Sequence, residues 1–261
     1  MENKIYITEE IKSYKKGREI LEKIKRSIRK QEELDYFNIH CERYRYILEK
    51  ISRQPKKGRI LDIGCYPLHL STALKEMGFS VYGVSSFHEP INQTKRVKIL
   101  NIETDKLPFT DNKFDLVLFS EVIEHLYQSP KFALKEIKRV LKKNGPLIIN
   151  SPNVARSINR LFLLMGKNIY PAIDDFFDDN AINKSLYFRH NREYTMAEIK
   201  RLVEESGLSC QEKNFFISYT PFRKKRKKDN PFLKLGKFIN YLLMLIFPPL
   251  RDTLYLRAAK N

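Results

Sequence analysis

Cysteine is scarce and scattered. Only three occur in the 261 residues, Cys41, Cys65 and Cys210, and none forms a CxxC pair. That excludes a disulfide framework and a thiolate zinc site, and it fits a reducing cytoplasm. The opening stretch MENKIYITEEIK lacks the apolar core of a secretory leader. Internal repeats are absent. The longest apolar stretch near the C-terminus, Tyr241–Leu250, is too short to span a bilayer and is closed by two prolines. What is present suits a globular α/β chain, because hydrophobic residues make up 42% and aromatics 12%.

The formal charge of +18 is unevenly placed. Residues 60–152 carry 12 basic against 10 acidic side chains, whereas residues 9–30 carry 9 against 4 and residues 221–261 carry 11 against 2. The excess therefore belongs to the flanks. Basic flanks attract polyanions, whether nucleic acid, anionic lipid or phosphorylated glycan, and they also simply solvate a protein. Both readings stand at this stage.

Residues 9–53 are expected to be helical, because Leu34, Phe37, Cys41, Tyr44, Leu48 and Ile51 recur in steps of three and four. Such a helix is either a cap packed on a sheet or a lid over a ligand. Gln54-Pro55-Lys56-Lys57-Gly58 breaks it. From Arg59 short apolar runs alternate with helical stretches, the pattern of a parallel sheet with crossover helices. Strands are expected at 59–63, 80–84, 97–101, 114–119, 147–150, 208–216 and 253–259, with helices at 68–77, 129–141 and 195–206. Thr195 and Glu198 form the sequence of a capping box. The expected organisation is an N-terminal helical cap (1–57), a core domain (58–216 and 253–261) and a basic, apolar insertion (217–252). A further insertion covers 154–194.

The segment Arg59-Ile-Leu-Asp-Ile-Gly-Cys-Tyr-Pro-Leu is a buried strand running into a tight turn, with Pro67 expected in the first turn of the next helix. Gly64 permits close approach of backbone to a ligand, and Asp62 can accept from an ammonium group. With "NIETDKLPFTDNKFDLVLFSEVIEHL" and "ALKEIKRVLKKNGPLIINSPN", residues 59–153 closely resemble the central motifs of class I S-adenosylmethionine-dependent methyltransferases. The resemblance implies a Rossmann-like, seven-stranded, mostly parallel sheet with helices on both faces and an antiparallel last strand.

It also implies cofactor roles. Asp62, Gly64, Cys65 and Tyr66 would line the methionine end of S-adenosylmethionine. Ile102, Glu103 and Thr104 would surround the adenine, while Ser120 and Glu121 would lie near the sulfonium. The sequence departs from the family's pattern in two places. Only Gly64 remains of the glycine-rich loop, and Ser85 stands where an acid usually binds the ribose, with Glu89 the nearest acidic alternative.

Methyl transfer to a hydroxyl needs alignment and a base. Glu121, Glu124 and His125 share one side if their turn is helical, and they are the candidate chemistry-bearing cluster. Similar ExxEH clusters hold a divalent ion in ubiquinone-pathway O-methyltransferases and small-RNA 2′-O-methyltransferases, the latter with a distant histidine that His190 resembles. Glu124, His125 and His190 are thus the candidate catalytic set, with Mg²⁺ or Mn²⁺ as the metal such ligands would favour. His40, His69 and His88 are expected to be surface or packing residues.

The basic run Arg223–Lys228 beside the apolar stretch 232–250 suits either an interfacial anchor on an anionic membrane or a helix covering the sheet or the substrate pocket. The expected activity is O-methylation of a small-molecule, glycan or lipid-linked acceptor by a cytoplasmic protein, peripheral at the membrane if the anchor reading holds. RNA 2′-O-methylation is the enzymatic rival, weakened by the absence of a familiar RNA-binding module. A non-catalytic scaffold with this fold is the other.

Overall fold

The computed structural model describes residues 16–52, 58–86, 94–170, 189–218 and 231–261. Seven strands form one sheet: β1 (Arg59–Ile63), β2 (Ser80–Ser85), β3 (Val97–Ile99), β4 (Leu116–Ser120), β5 (Pro146–Pro152), β6 (Leu208–Phe216) and β7 (Thr253–Lys260). Their order is β3-β2-β1-β4-β5-β7-β6. β7 runs antiparallel to β5 and β6, and every other pairing is parallel.

Alternation along the central strands sorts side chains to two faces. Leu61, Ile63, Val117, Phe119, Leu147 and Ile149 enter one core cluster with helices α4 (Lys131–Val140) and α6 (Met196–Glu205). Ile60, Leu116, Leu118 and Ile148 enter the other, with α1 (residues 16–27), α2 (Gln31–Ile51) and α3 (His69–Glu76). The N-terminal helices therefore share a core with the sheet. Two more helices, α5 (Ser157–Leu164) and α7 (Pro231–Ile246), follow β5 and precede β7. The capping box of α6 is formed in full, with Thr195 and Glu198 each accepting from the other's backbone.

Two local expectations are corrected. The N-terminal helix is not continuous, since α1 ends at residue 27 and α2 starts at Gln31. Ser27 Oγ donates to the Ile24 carbonyl at 2.7 Å, a local bond that competes with helix continuation. Residues 9–15 of the expected helix lie outside the described residues. Pro67 precedes α3 rather than opening it, because Leu68 takes the left-handed conformation (φ 72°) and the helix starts one residue later.

α2 is fixed at both ends. Tyr46 stacks on Phe216 of β6 at 4.1 Å and accepts from Asn214 Nδ2 at 2.8 Å. At the other end Glu33 bonds His69 Nε2 at 2.9 Å, and the fully buried Phe37 meets the His69 ring edge-on at 5.2 Å. Truncating Phe37 to alanine is expected to cost about 3–5 kcal/mol through the cavity it leaves, read from the urea unfolding midpoint. An unchanged midpoint would mean that α2 does not depend on this contact.

Candidate active site

Strand order reverses between β1 and β4, and a crevice forms outside the carboxyl ends of strands at such a point. A cavity of about 780 Å³ lies there. Its floor is the strand ends and their following loops; residues of α2, including Tyr36, Arg43 and Tyr44, form another wall.

The β1 turn is built for close approach. Gly64 has φ +75°, and a Cβ there would lie 2.3 Å from Val122 Cγ2. The amides of Gly64 and Cys65 both donate to the Val84 carbonyl, at 2.9 and 3.1 Å, which closes the turn against β2. Asp62 is buried at the end of β1 and accepts from Ser71 Oγ of α3 at 2.6 Å. Ser85 is buried at the end of β2 and lines the cavity, with Ile102 and Glu103 beyond it.

Of the ten sequence-predicted cofactor residues, nine line this cavity: Asp62, Gly64, Cys65, Tyr66, Ser85, Ile102, Glu103, Ser120 and Glu121. Thr104 does not. The turn that returns the Asp105 amide to the Asn101 carbonyl leaves Thr104 exposed, its hydroxyl on Asp105. Glu89 and His88 lie outside the described residues.

The ExxEH segment is not a regular helical turn. Glu121 has φ +54°, a costly conformation for a residue with a side chain, and the turn that follows is a short 3₁₀ segment, Ile123–His125. Glu121 lines the same cavity as His125 but stays outside the cluster in which Glu124 and His125 bring ligand atoms together. Its carboxylate pairs with Arg43 at 2.7 Å and accepts from Asn150 Nδ2 at 3.2 Å, while its amide donates to the Asn150 carbonyl. Burial opposes the Arg43 charge, but Glu121 and then Tyr44 outweigh it, leaving the guanidinium more basic than usual.

Glu124, His125 and His190 do come together, each offering a ligand atom within 4.8 Å of the others'. Only His125 of the three lines the cavity. Glu124 lies beneath, fully buried, with Oε2 accepting from Ser151 Oγ at 3.0 Å and Oε1 without a partner. Burial, then the nearby Glu121 charge, pushes its carboxyl well above the ordinary range. His190 packs edge-on against His125 with ring centroids 5.0 Å apart. His125 Nδ1 bonds the Arg189 carbonyl at 3.0 Å, and His190 Nδ1 bonds Glu193 at 2.9 Å. Burial, followed by the neighbouring His190, lowers the His125 imidazole to about 4, so it is neutral at physiological pH.

Sequence reasoning missed the contributors from α2. Arg43, Tyr36, Tyr44 and Glu33 reach the cavity from there, while His69, expected as a surface or packing residue, is a packing residue buried against Phe37 and Tyr44 that also lines the cavity. The amphipathic stripe marks the buried face of α2; no local pattern tells which part of that face meets a ligand. Asn150 and Ser151, which hold Glu121 and Glu124, look like ordinary strand residues.

A reversed last strand in a 3-2-1-4-5-7-6 sheet, with a cavity at the β1–β4 crevice, is the Rossmann-like methyltransferase fold. A family model described as a methyltransferase domain matches residues 34–213. The chain belongs to that family and is an enzyme of the class I S-adenosylmethionine-dependent methyltransferases. An uncharacterised protein of Methanocaldococcus jannaschii is 24% identical over 196 residues, 74% of this chain and 83% of its own. A ubiquinone biosynthesis O-methyltransferase of Rickettsia canadensis is 28% identical over 191 residues, 68% of this chain and 76% of its own. The crystal structure of a SAM dependent methyltransferase from Archaeoglobus fulgidus shares the fold with a TM-score of 0.53 at 17% identity, over 85% of this chain and 93% of that one.

The buried acid sets a pH dependence. A carboxyl raised by folding stabilises the fold while protonated, and that contribution is lost as pH rises from the ordinary carboxylate range through the folded value. Glu124→Gln keeps an acceptor for Ser151 and removes the titration. In metal-free buffer, unfolding free energy measured between pH 5 and pH 8 is expected to fall less with rising pH in the variant than in the parent. Parallel profiles would show that Glu124 stays ionised.

Proposed function

We propose that the enzyme transfers the methyl group to a hydroxyl oxygen of a small-molecule, glycan or lipid-linked acceptor, with His125 as general base. The observation that carries this is a neutral imidazole in the wall of the cavity, beside Ser120, Glu121 and the β1 turn. The name of the Rickettsia canadensis relative also favours oxygen as the acceptor atom. In this reading Asp62, Gly64, Cys65 and Tyr66 receive the methionine end of S-adenosylmethionine, Ser85 the ribose, and Ile102 and Glu103 the adenine. Arg43 neutralises Glu121 and so limits the carboxylate charge facing the sulfonium.

The acceptor oxygen attacks the methyl carbon as the carbon–sulfur bond breaks, and the hydroxyl proton passes to His125 Nε2. The Arg189 carbonyl at Nδ1 fixes the tautomer that leaves Nε2 free to accept. His125→Ala is expected to lower kcat by about 100-fold or more while cofactor affinity stays within about twofold. Transfer of labelled methyl to extract acceptors and calorimetry with S-adenosylmethionine read the two effects. Undiminished transfer would remove His125 from the mechanism. Ribonuclease treatment of the extract before the assay separates these acceptors from the rival RNA 2′-O-methylation.

A divalent cation is the second reading, and the partnerless Glu124 Oε1 is the observation for it. With Glu121 outside the set, one carboxylate and two imidazoles, their Nδ1 atoms tied to backbone and carboxylate acceptors, suit Mn²⁺ better than the oxygen-seeking Mg²⁺. Glu124, His125 and His190 would hold it. Such an ion would acidify an acceptor hydroxyl as a Lewis acid and keep Glu124 ionised. Excess EDTA is expected to abolish transfer and Mn²⁺ to restore it, with Glu124→Gln losing Mn²⁺ binding measured by paramagnetic resonance. Full turnover in EDTA would leave the proton as the only occupant.

A further inference from the structure

Helices α5 and α7 come from separate insertions, after β5 and before β7, yet they pack against each other. Both leave large aliphatic side chains in solvent. On α5, Leu163 and Leu164 are 60% and 86% exposed. On α7, Leu235, Phe238, Leu242 and Ile246 are exposed, and of residues 234–246 only Met244 is buried. A helix whose task was to cover the sheet would bury a stripe. This one is held by its end instead: Arg251 donates to the Met244 and Phe215 carbonyls at 2.9 and 2.8 Å, and Asn153 Nδ2 donates to the Pro249 and Arg251 carbonyls. The apolar face is thus displayed on a fixed support.

Within the described residues of the two segments the charge has one sign. No Asp or Glu occurs in residues 157–170 or 231–251, whereas Arg160, Lys167, Lys234 and Lys237 do. Exposed aliphatic residues ringed by cations match the acyl and headgroup layers of an anionic bilayer. A protein partner of matching charge would have to bring its own acidic ring, and nothing in this apolar-rich composition selects for one. α7 is 16 residues long, and no helix among the described residues is long and apolar enough to cross a membrane, so the fit is interfacial.

We infer that the α5–α7 face docks the protein on an anionic lipid surface. The support of the docking face is linked by hydrogen bonds and ring contact to His125 of the cavity wall. Arg156 and Asn159, at the start of α5, both bond Glu193, and Glu193 holds His190 against His125.

The test is sedimentation of the full chain with phosphatidylcholine vesicles, with and without phosphatidylglycerol. Binding to the anionic vesicles, weakened by salt, is expected. Two double variants at exposed positions, Leu163→Ser/Leu164→Ser and Lys167→Glu/Lys234→Glu, are each expected to lower the partition coefficient by about tenfold or more. Calorimetry with S-adenosylmethionine, unchanged in both, shows that they remain folded and that docking is independent of the methyl-transfer chemistry. Equal sedimentation with both vesicle types, none with either, or unaltered binding by the variants overturns the inference. So does a concentration-dependent dimer, seen by light scattering, that Leu163→Ser/Leu164→Ser dissolves, because a second copy would then own the face.

Discussion

The ion pair between Arg43 and Glu121 is the contact on which the site depends. It joins α2, at one wall of the cavity, to the end of β4, while Asn150 ties the same carboxylate to β5. Arg43 is buried and Glu121 partly so; the 2.7 Å contact and the Asn150 amide meet the carboxylate, while Arg43 Nε is left without a partner, so the pair's attraction has to offset that desolvation. Glu121 also adopts an unfavourable positive φ, at +54°. The strained turn and the buried pair support one another: the pair fixes Glu121, and Glu121 at that angle directs the chain into the 3₁₀ segment carrying Glu124 and His125.

A second layer of polar contacts sets the state of the chemistry. Glu124 and Glu193 are both buried carboxylates, yet they respond oppositely. Glu124 has Ser151 and a neighbouring acid, and its carboxyl is raised. Burial alone would raise Glu193 too, but His190 and Arg156 bring it below the ordinary range. The surroundings of one acid thus disfavour its charged form, whereas those of the other favour it, and Glu193 orients an imidazole. Between them, His125 is kept neutral by desolvation. Such pairs of titratable groups pushed apart by environment are what acid–base chemistry near neutral pH needs.

The departures from the family's cofactor pattern have a structural setting. Gly64 is required both by its φ and by Val122 behind it, so the single remaining glycine stands where no side chain fits. A Cβ at Gly83 of β2 would lie 2.6 Å from Cys65 Sγ, so the loop leans on the neighbouring strand as well. Ser85 is buried at the expected strand end and lines the cavity. A neutral hydroxyl there contributes a weaker bond than a carboxylate would.

The sequence by itself determined the sheet. Apolar runs bounded by breakers located all seven strands, two of them at both ends and the rest within two residues, and the capping box at Thr195 formed as written. Nine of the ten residues it put forward for the cofactor side line the cavity, because they sit at or just past strand ends whose motifs are local. What it could not determine was anything set by two distant elements meeting. That Arg43 would claim Glu121, that His69 would be buried against α2, and that Asn150 and Ser151 would hold the two glutamates all follow from the packing of α2 and β5 on β4. The same is true of α5 and α7: the first falls in an insertion to which the sequence assigns no element, the second reads as a short apolar helix, and only the structure brings their exposed residues together. Periodicity says which side of an element is apolar, whereas tertiary structure decides what that side meets.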